Sequence, residues 1–158
     1  MREILYCALY LSAIGVAFFL FGRILPKEIF AYDRFPFHLS RFERDGHIYD
    51  ALQIRRWKDG FPDMSVLIPS LIPSKKLPPI FTAAQIESMI RETCVAEWIH
   101  ELLCLFGFGC VFLWKGIGGW LVSVLYALGN LPYILIQRYN RPRLVNLLRK
   151  TRERECSS

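Results

Sequence analysis

Asn130 to Leu144 read NLPYILIQRYNRPRL, and the organisation of the whole chain follows from this stretch. Its first half closes an uncharged run, Ile117 to Ile136, which is long enough to cross a bilayer as a helix. Its second half carries three arginines, Arg138, Arg141 and Arg143. An apolar helix that ends in this way places guanidinium groups at the boundary between lipid and water. The stretch therefore predicts a membrane-spanning helix with a basic end.

The polar residues that follow the run have two interpretations of equal weight. An anchor of the positive-inside type requires only charge, and the three arginines supply it. Gln137, Asn140 and two prolines add a fixed geometry that anchoring does not require. The second interpretation is therefore a functional site formed by Gln137, Arg138, Asn140 and Arg141.

Two further apolar runs determine the expected fold class. Ile4 to Phe21 carries no charge and has the length of a spanning helix. Leu102 to Trp114 is uncharged but short, and it reaches that length only if residues 97–101, with their ionisable side chains, also enter the membrane. The hydrophobic fraction is 53% and the mean hydropathy is +0.27. We therefore predict an all-α integral membrane protein with three transmembrane helices.

The net charge of +6 does not indicate a nucleic-acid partner, because the basic residues flank the apolar runs and no zinc-finger or RNA-binding motif is present. A bilayer with anionic headgroups is the expected partner. The five cysteines form an odd set without a CxxC pair, so neither a disulfide framework nor a metal cluster is expected. They are Cys7, Cys94, Cys104, Cys110 and Cys156.

The chain divides into four parts by composition. We expect the first transmembrane helix in residues 1–25, an interfacial segment in 26–82, a long helix and transmembrane hairpin in 83–144, and a basic tail in 145–158. Segment 26–82 holds seven of the nine prolines, and aromatic residues alternate with arginines before most of them. This pattern predicts an amphipathic, proline-rich segment lying against lipid headgroups, with a small soluble loop domain as the alternative.

The long helix has a well-defined predicted start. Thr82 and Gln85 fit a T-x-x-Q capping box. Phe81 and Ile86 fit the hydrophobic staple that often accompanies such a box. From there, six residues recur at steps of three and four and so share one helical stripe, which we expect to face protein. They are Ile86, Ile90, Thr93, Glu97, His100 and Cys104. The helix is expected to continue to Trp114.

A helical hairpin follows from the next segment. Lys115 to Gly119 contains three glycines and is short enough only for a tight reversal. Counting equally from this reversal along both helices brings polar groups that are far apart in sequence to one depth. The predicted pairs are His100 with Ile134, Glu97 with Gln137, and Thr93 with Arg141.

The basic residues also predict an orientation. They crowd the C-terminal side of the hairpin, whereas the reversal carries only Lys115. By the positive-inside rule, the C-terminus and residues 26–92 are expected in the cytoplasm. Three spans then leave the N-terminus outside, in a multi-pass protein of the cell membrane.

Glu97 and His100 are the candidate catalytic residues. At a spacing of three on one helix, the carboxylate can hold the imidazole and fix its tautomer. His100 is then a candidate general base that takes a proton from a hydroxyl. Arg138, Asn140 and Arg141 are candidates to steady an oxyanion or a phosphate. The alternative is a purely structural ion pair between Glu97 and Arg138.

Other kinds of site have less support in the sequence. Glu97 to His100 gives E-x-x-H, which is half of a di-iron bundle site, but the second E-x-x-H and two further carboxylates are missing. No G-x-S-x-G elbow, P-loop or H-x-x-x-x-D motif occurs. We therefore expect no metal and no cofactor.

Three stretches resemble one known family. They are FERDGHIYDALQIRRWKD (Phe42 to Asp59), IESMIRETCVAEWIHE (Ile86 to Glu101) and NLPYILIQRYNRPRL (Asn130 to Leu144). In this order they are similar to the glycosyl-4,4'-diaponeurosporenoate acyltransferases, small membrane enzymes of staphyloxanthin-type carotenoid biosynthesis. The resemblance implies transfer of a fatty acyl group to a glucose hydroxyl of a C30 carotenoid glycoside. Pro62 to Pro79 depart from the family, which leaves the identity of the acceptor open.

Two hypotheses follow. In the first, the chain is an acyltransferase in which Glu97 orients His100 and in which Trp57 and Lys58 close the site from the interfacial segment. An apolar glycosylated acceptor enters from the membrane, and the fatty acyl donor is acyl-CoA or a phospholipid. In the second, the chain is a non-catalytic membrane protein that binds anionic lipid or a partner enzyme through its basic tail.

Overall fold

The computed structural model describes residues 1–38, 40, 43, 47–60 and 82–157, and every regular element in these ranges is helical. The α-helices are α1 (Arg2–Ile24), α2 (His47–Ala51), α3 (Ile54–Trp57), α4 (Ala83–Gly107), α5 (Cys110–Leu113) and α6 (Ile117–Ser157). Lys27–Ile29 and Lys58–Gly60 form short 3-10 turns. Within the described residues, three stretches are long and apolar enough to cross a bilayer: α1, α4 with α5, and α6. The chain is therefore a multi-pass helical membrane protein.

The proline-rich stretch predicted between the first and second spans lies mostly outside the described residues. Pro62 to Pro79 belong to the range 61–81, and so does Phe81, the predicted partner of Ile86 in a hydrophobic staple.

The start of α4 is the predicted one. The Thr82 hydroxyl accepts a hydrogen bond from the Gln85 amide at 3.3 Å, and the Gln85 side chain accepts one from the Thr82 amide at 2.9 Å. These two reciprocal bonds satisfy amide groups that the helix itself cannot pair, which defines where it begins.

The end of α4 differs from the prediction that the helix continues to Trp114. α4 stops at Gly107, and a turn at residues 108–109 separates it from α5. The Phe106 carbonyl accepts hydrogen bonds from the Tyr10 hydroxyl at 2.8 Å and from the Gly109 amide at 2.9 Å, so it is withdrawn from regular helical pairing. A side chain on α1 thus binds the second span where its helix is interrupted.

The reversal between the last two spans depends on glycine. Gly116 has φ of +96°, a left-handed conformation that glycine adopts readily. A Cβ atom on Gly119 would lie 2.2 Å from the Trp114 carbonyl oxygen and 2.7 Å from that of Cys110. Both glycines let α6 begin immediately against the end of α5.

α6 has 41 residues and is about 60 Å long, which is about twice the thickness of the hydrocarbon core. It runs without a break through Pro132 and Pro142, so the basic residues from 145 onwards continue the same helix. About half of α6 therefore extends beyond the apolar run that ends at Ile136.

Clusters of buried apolar residues lie at the arginine-bearing end of the hairpin. One cluster joins Phe30 and Phe37, after α1, to Cys94 and Val95 on α4. Two more are formed by Tyr49, Ile54 and Tyr139, and by Ile86, Ile90 and Leu148. Elsewhere, α1 and the first half of α6 expose large apolar side chains, as a lipid-facing surface does. The described part of segment 26–82 thus packs on α4 and α6 rather than around a separate core.

Gly119→Ala should disturb the hairpin. The added methyl group would collide with two backbone carbonyls that cannot move independently, so we expect a loss of about 1–3 kcal/mol in stability. The measurement is the midpoint of thermal unfolding in detergent micelles.

Gly129→Ala is the matched control on α6, because nothing lies within 4 Å of its Cβ position. Alanine is the better helix former, so this control should be neutral or stabilising. Equal midpoints for the two variants would contradict the close packing at Gly119.

Candidate functional site

A buried carboxylate joins the two long helices. Glu97 on α4 has 0% exposure, and its Oε1 accepts a hydrogen bond from Arg138 Nε at 2.6 Å. Its Oε2 accepts one from Arg141 Nη2. Residues three apart on a helix share a face, so one carboxylate reaches both guanidinium groups. The predicted meeting of the two polar groups at one depth is confirmed.

Arg141 is enclosed on all sides. Besides Glu97, it donates from Nε to the Thr93 hydroxyl at 3.1 Å and from Nη1 to the Phe37 carbonyl at 2.7 Å. Its guanidinium carbon also lies 5.7 Å from the centre of the Phe37 ring. The predicted pairing of Thr93 with Arg141 is confirmed, and all three guanidinium nitrogens have acceptors within the protein.

Arg138 connects the hairpin to the segment that follows α1. Its Nη1 donates to Glu43 Oε1 at 2.7 Å, and its Nη2 donates to the Pro36 carbonyl at 3.2 Å. The Arg138 side chain retains 24% exposure, whereas that of Arg141 retains 1%. Arg138 is therefore the guanidinium of this pair that is accessible from outside the protein.

Glu97, Arg138, Arg141 and Glu43 form an ionic cluster, in which Glu43 is the second carboxylate. It accepts hydrogen bonds from the Tyr49 hydroxyl at 2.6 Å and from the Ser40 amide at 2.9 Å, in addition to Arg138. Burial raises the pKa of Glu43, but these hydrogen bonds outweigh that effect and lower the pKa from 4.5 to about 2. Glu43 is thus anionic at neutral pH, and the two carboxylates balance the two guanidinium groups.

His100 lies one turn from Glu97 along α4, on the side towards the apolar run. Its Nδ1 is 2.8 Å from Asn130 Oδ1, and its ring stacks on Tyr133 with centroids 4.7 Å apart and planes inclined by 8°. Asn130 and Tyr133 lie within one turn of Ile134, the predicted neighbour. The partner found for Nδ1 is therefore an amide on α6, while both oxygens of Glu97 accept from arginines.

The other predicted site residues lie around this region. Gln137 is buried and Asn140 is half-buried, and neither side chain hydrogen-bonds to another residue in the described ranges. Trp57 packs in the same cluster as Tyr139, and the Lys58 ammonium lies 5.4 Å from the centre of the Tyr139 ring. Tyr49 belongs to the same cluster and donates from its hydroxyl to Glu43, so Trp57 and Lys58 lie beside the ionic cluster.

Three residues of this region were not predicted as site residues from the sequence. Asn130 and Tyr133 could have been found from the sequence. They precede Gln137 and Arg141 at helical spacing, so they lie on the same stripe of α6. No sequence pattern indicated Glu43, because it lies in an irregular segment whose position depends on tertiary packing.

No group of three or more His, Cys, Asp or Glu side chains that could hold a metal ion occurs within the described ranges. A cavity of about 400 Å³ lies further along α6, beyond the ionic cluster, with Tyr32, Leu148, Arg149 and Arg152 among its walls. It is separate from His100 and Glu97.

Comparisons with known proteins point to one family. The family profile described as glycosyl-4,4'-diaponeurosporenoate acyltransferase matches residues 26–150. The protein of that name from Staphylococcus aureus strain N315 is 30% identical over 155 residues, which cover 94% of this chain and 90% of the relative. The relative from strain USA300 is 31% identical with the same coverage, and that from strain Newman is 31% identical over 91% of this chain and 87% of its own. No solved structure matches the chain.

The family match spans α4, the reversal and the whole of α6 up to residue 150, and it includes the segment that carries Glu43. All the residues of the ionic cluster, and His100 with its partners, lie inside it. The chain therefore belongs to the glycosyl-4,4'-diaponeurosporenoate acyltransferase family.

Proposed function

We propose that this chain is a membrane acyltransferase that esterifies a sugar hydroxyl of a carotenoid glycoside, or of a related glycolipid, with a fatty acyl group. Its relatives are named as acyltransferases of glycosyl-4,4'-diaponeurosporenoate. The observation that carries the proposal is the position of His100, a half-buried imidazole at the junction between an apolar span and an ionic cluster. An acceptor with a long apolar chain and a sugar head group would place its hydroxyls at such a junction.

His100 acts as the general base in this proposal. It takes the proton of the sugar hydroxyl while the hydroxyl oxygen attacks the acyl carbonyl carbon. The new ester bond forms as the bond between the acyl carbon and its carrier breaks, and the proton passes from His100 to the departing carrier. The carrier is a thiol if the donor is acyl-CoA and an alcohol if the donor is a phospholipid.

The ionic cluster has a different part in the same scheme. Both oxygens of Glu97 hold arginines, so Glu97 supports the site by fixing Arg138 and Arg141 rather than by acting on substrate. Arg138 is the more exposed of the two, so its guanidinium is the one that can face the developing oxyanion, with Gln137 and Asn140 beside it. Trp57 and Lys58 pack against Tyr139 and close the site from the segment that follows α1.

The orientation in the membrane forms part of the proposal. The basic half of α6 and the segment after α1 lie in the cytoplasm, and the reversal at Gly116 and the N-terminus lie outside. The support is the charge asymmetry: the end of α6 is rich in arginine, whereas the reversal carries only Lys115.

His100→Ala should reduce acyl transfer by about 10²–10⁴-fold, because a positioned general base contributes that much. The assay is mass spectrometry of pigments and lipids from cells supplied with the glycosylated carotenoid, where the product is heavier by one fatty acyl group. Immunoblotting of membranes checks that protein levels are unchanged. His38→Ala is the control, because His38 is exposed and lies outside the site. Full activity of His100→Ala would exclude the base role.

Glu97→Gln should mainly destabilise the protein. Removing the buried charge leaves Arg141 without its carboxylate, and breaking such a pair costs about 3–5 kcal/mol. Glu87→Gln is the matched control on α4, since its pairs with Arg91 and Arg152 are more exposed and should be worth less than about 1 kcal/mol. Thermal unfolding in micelles compares the two. A Glu97→Gln protein that is as stable as wild type but inactive would instead assign Glu97 a direct role in catalysis.

The native Cys156 provides a test of orientation. It is exposed near the end of α6, whereas Cys7, Cys94 and Cys110 are buried and Cys104 is half-buried within its span. A membrane-impermeant maleimide should label the protein in inside-out vesicles and not in intact cells. Cys156→Ser should remove the label, and Lys115→Cys in that background should restore it in intact cells. Labelling of Cys156 in intact cells would place the C-terminus outside.

A further inference from the structure

We propose that Asn130 is the positioning residue of His100: its side-chain amide holds the imidazole in the tautomer whose Nε2 carries the basic lone pair. This inference rests on the proposed base role of His100 and adds a specific residue to it. It assigns to α6 a task that the sequence pattern had given to Glu97.

The orientation of the Asn130 amide is set within its own helix. Its Nδ2 donates to the Tyr126 carbonyl, one turn back along α6, at 2.9 Å. Asn130 as a residue is 8% exposed, so water offers little competition for this bond. With the amino group engaged there, the amide oxygen faces α4 and lies 2.8 Å from His100 Nδ1.

This contact determines the proton on the ring. An amide oxygen can only accept a hydrogen bond, so the nitrogen that approaches it must carry a proton. In the neutral imidazole, a proton on Nδ1 leaves the lone pair on Nε2. Histidine bases in Ser-His-Asp and Cys-His-Asn sites work in the same tautomer, with the partner on Nδ1 fixing the ring.

The plane of the ring is fixed by a second residue of α6. Tyr133 lies almost parallel to the imidazole, with centroids 4.7 Å apart. It is three residues from Asn130, so both side chains reach His100 from one face of the helix. A hydrogen bond at Nδ1 and a stacked ring together set the direction in which Nε2 points.

A neutral partner also suits the depth of the site. Asn130 lies six residues inside the end of the apolar run, about 9 Å along the helix axis from Ile136. A carboxylate at that depth would add a charge that the membrane disfavours.

The kinetic test compares Asn130→Ala, Asn130→Asp and a matched control, Asn146→Ala, at an exposed position of the same helix. Asn130→Ala should lower kcat with little change in KM, because the ring is no longer held in the productive tautomer. The loss should be smaller than the about 10²–10⁴-fold that the base itself contributes. Asn130→Asp keeps an acceptor oxygen, so it should retain more activity than Asn130→Ala. Asn146→Ala should match wild type in both measurements.

A spectroscopic test needs no activity. Protein labelled with 15N-histidine is recorded in micelles above the titration range of the ring, and the His100 signals are those that disappear in His100→Gln. Wild type should show a protonated Nδ1 and an unprotonated Nε2, and Asn130→Ala should show a mixture of tautomers. A wild-type ring protonated on Nε2 would overturn the proposal, whether or not any variant folds.

The two tests separate this inference from the proposed function. Full activity of His100→Ala would remove the base role, while the tautomer measured by NMR would still report on Asn130. Conversely, if His100→Ala is inactive but Asn130→Ala matches wild type in kcat and in tautomer, the positioning role of Asn130 is wrong and the base role stands.

Discussion

The carboxylate of Glu97 is the contact on which the rest of the structure depends. It has no exposure to solvent, and an ionised carboxylate in such surroundings is stable only when it is paired and fully hydrogen-bonded. Arg138 and Arg141 supply the pairing from one face of α6, which fixes the rotation and depth of that helix against α4. The same arginines bind Glu43 and the Phe37 carbonyl, so the segment after α1 is held to the hairpin as well.

This arrangement places charge and base at different depths. The two carboxylates and two guanidinium groups satisfy one another at the end of the apolar run, while His100 lies one turn deeper with an amide and a tyrosine ring as neighbours. The charged residues thus hold α4, α6 and the segment after α1 together, and the uncharged polar residues of α6 surround the imidazole. For an acceptor that is part lipid and part sugar, this junction offers both environments within one turn of helix.

Local sequence features correctly predicted the start of α4 and the register of the helical hairpin. The capping box at Thr82 and the hairpin register depend on short-range hydrogen bonding and on helical periodicity, and both are visible in one sequence. The end of α4 was predicted wrongly: the helix stops at Gly107, where the Tyr10 hydroxyl, which is distant in sequence, binds the Phe106 carbonyl. Periodicity carries no information about such a contact.

The sequence alone was sufficient to predict three spanning helices, a tight reversal at the glycines, and the meeting of Glu97 with the arginines of α6, because length, hydropathy and helical spacing determine these. Only the tertiary structure decided which side chain each group binds. Glu97 has two arginines on a neighbouring helix, and His100 Nδ1 pairs with Asn130. Helical spacing brings groups to one level, but the rotation of one helix against another selects the pairs that form, and that rotation is a property of the packed core.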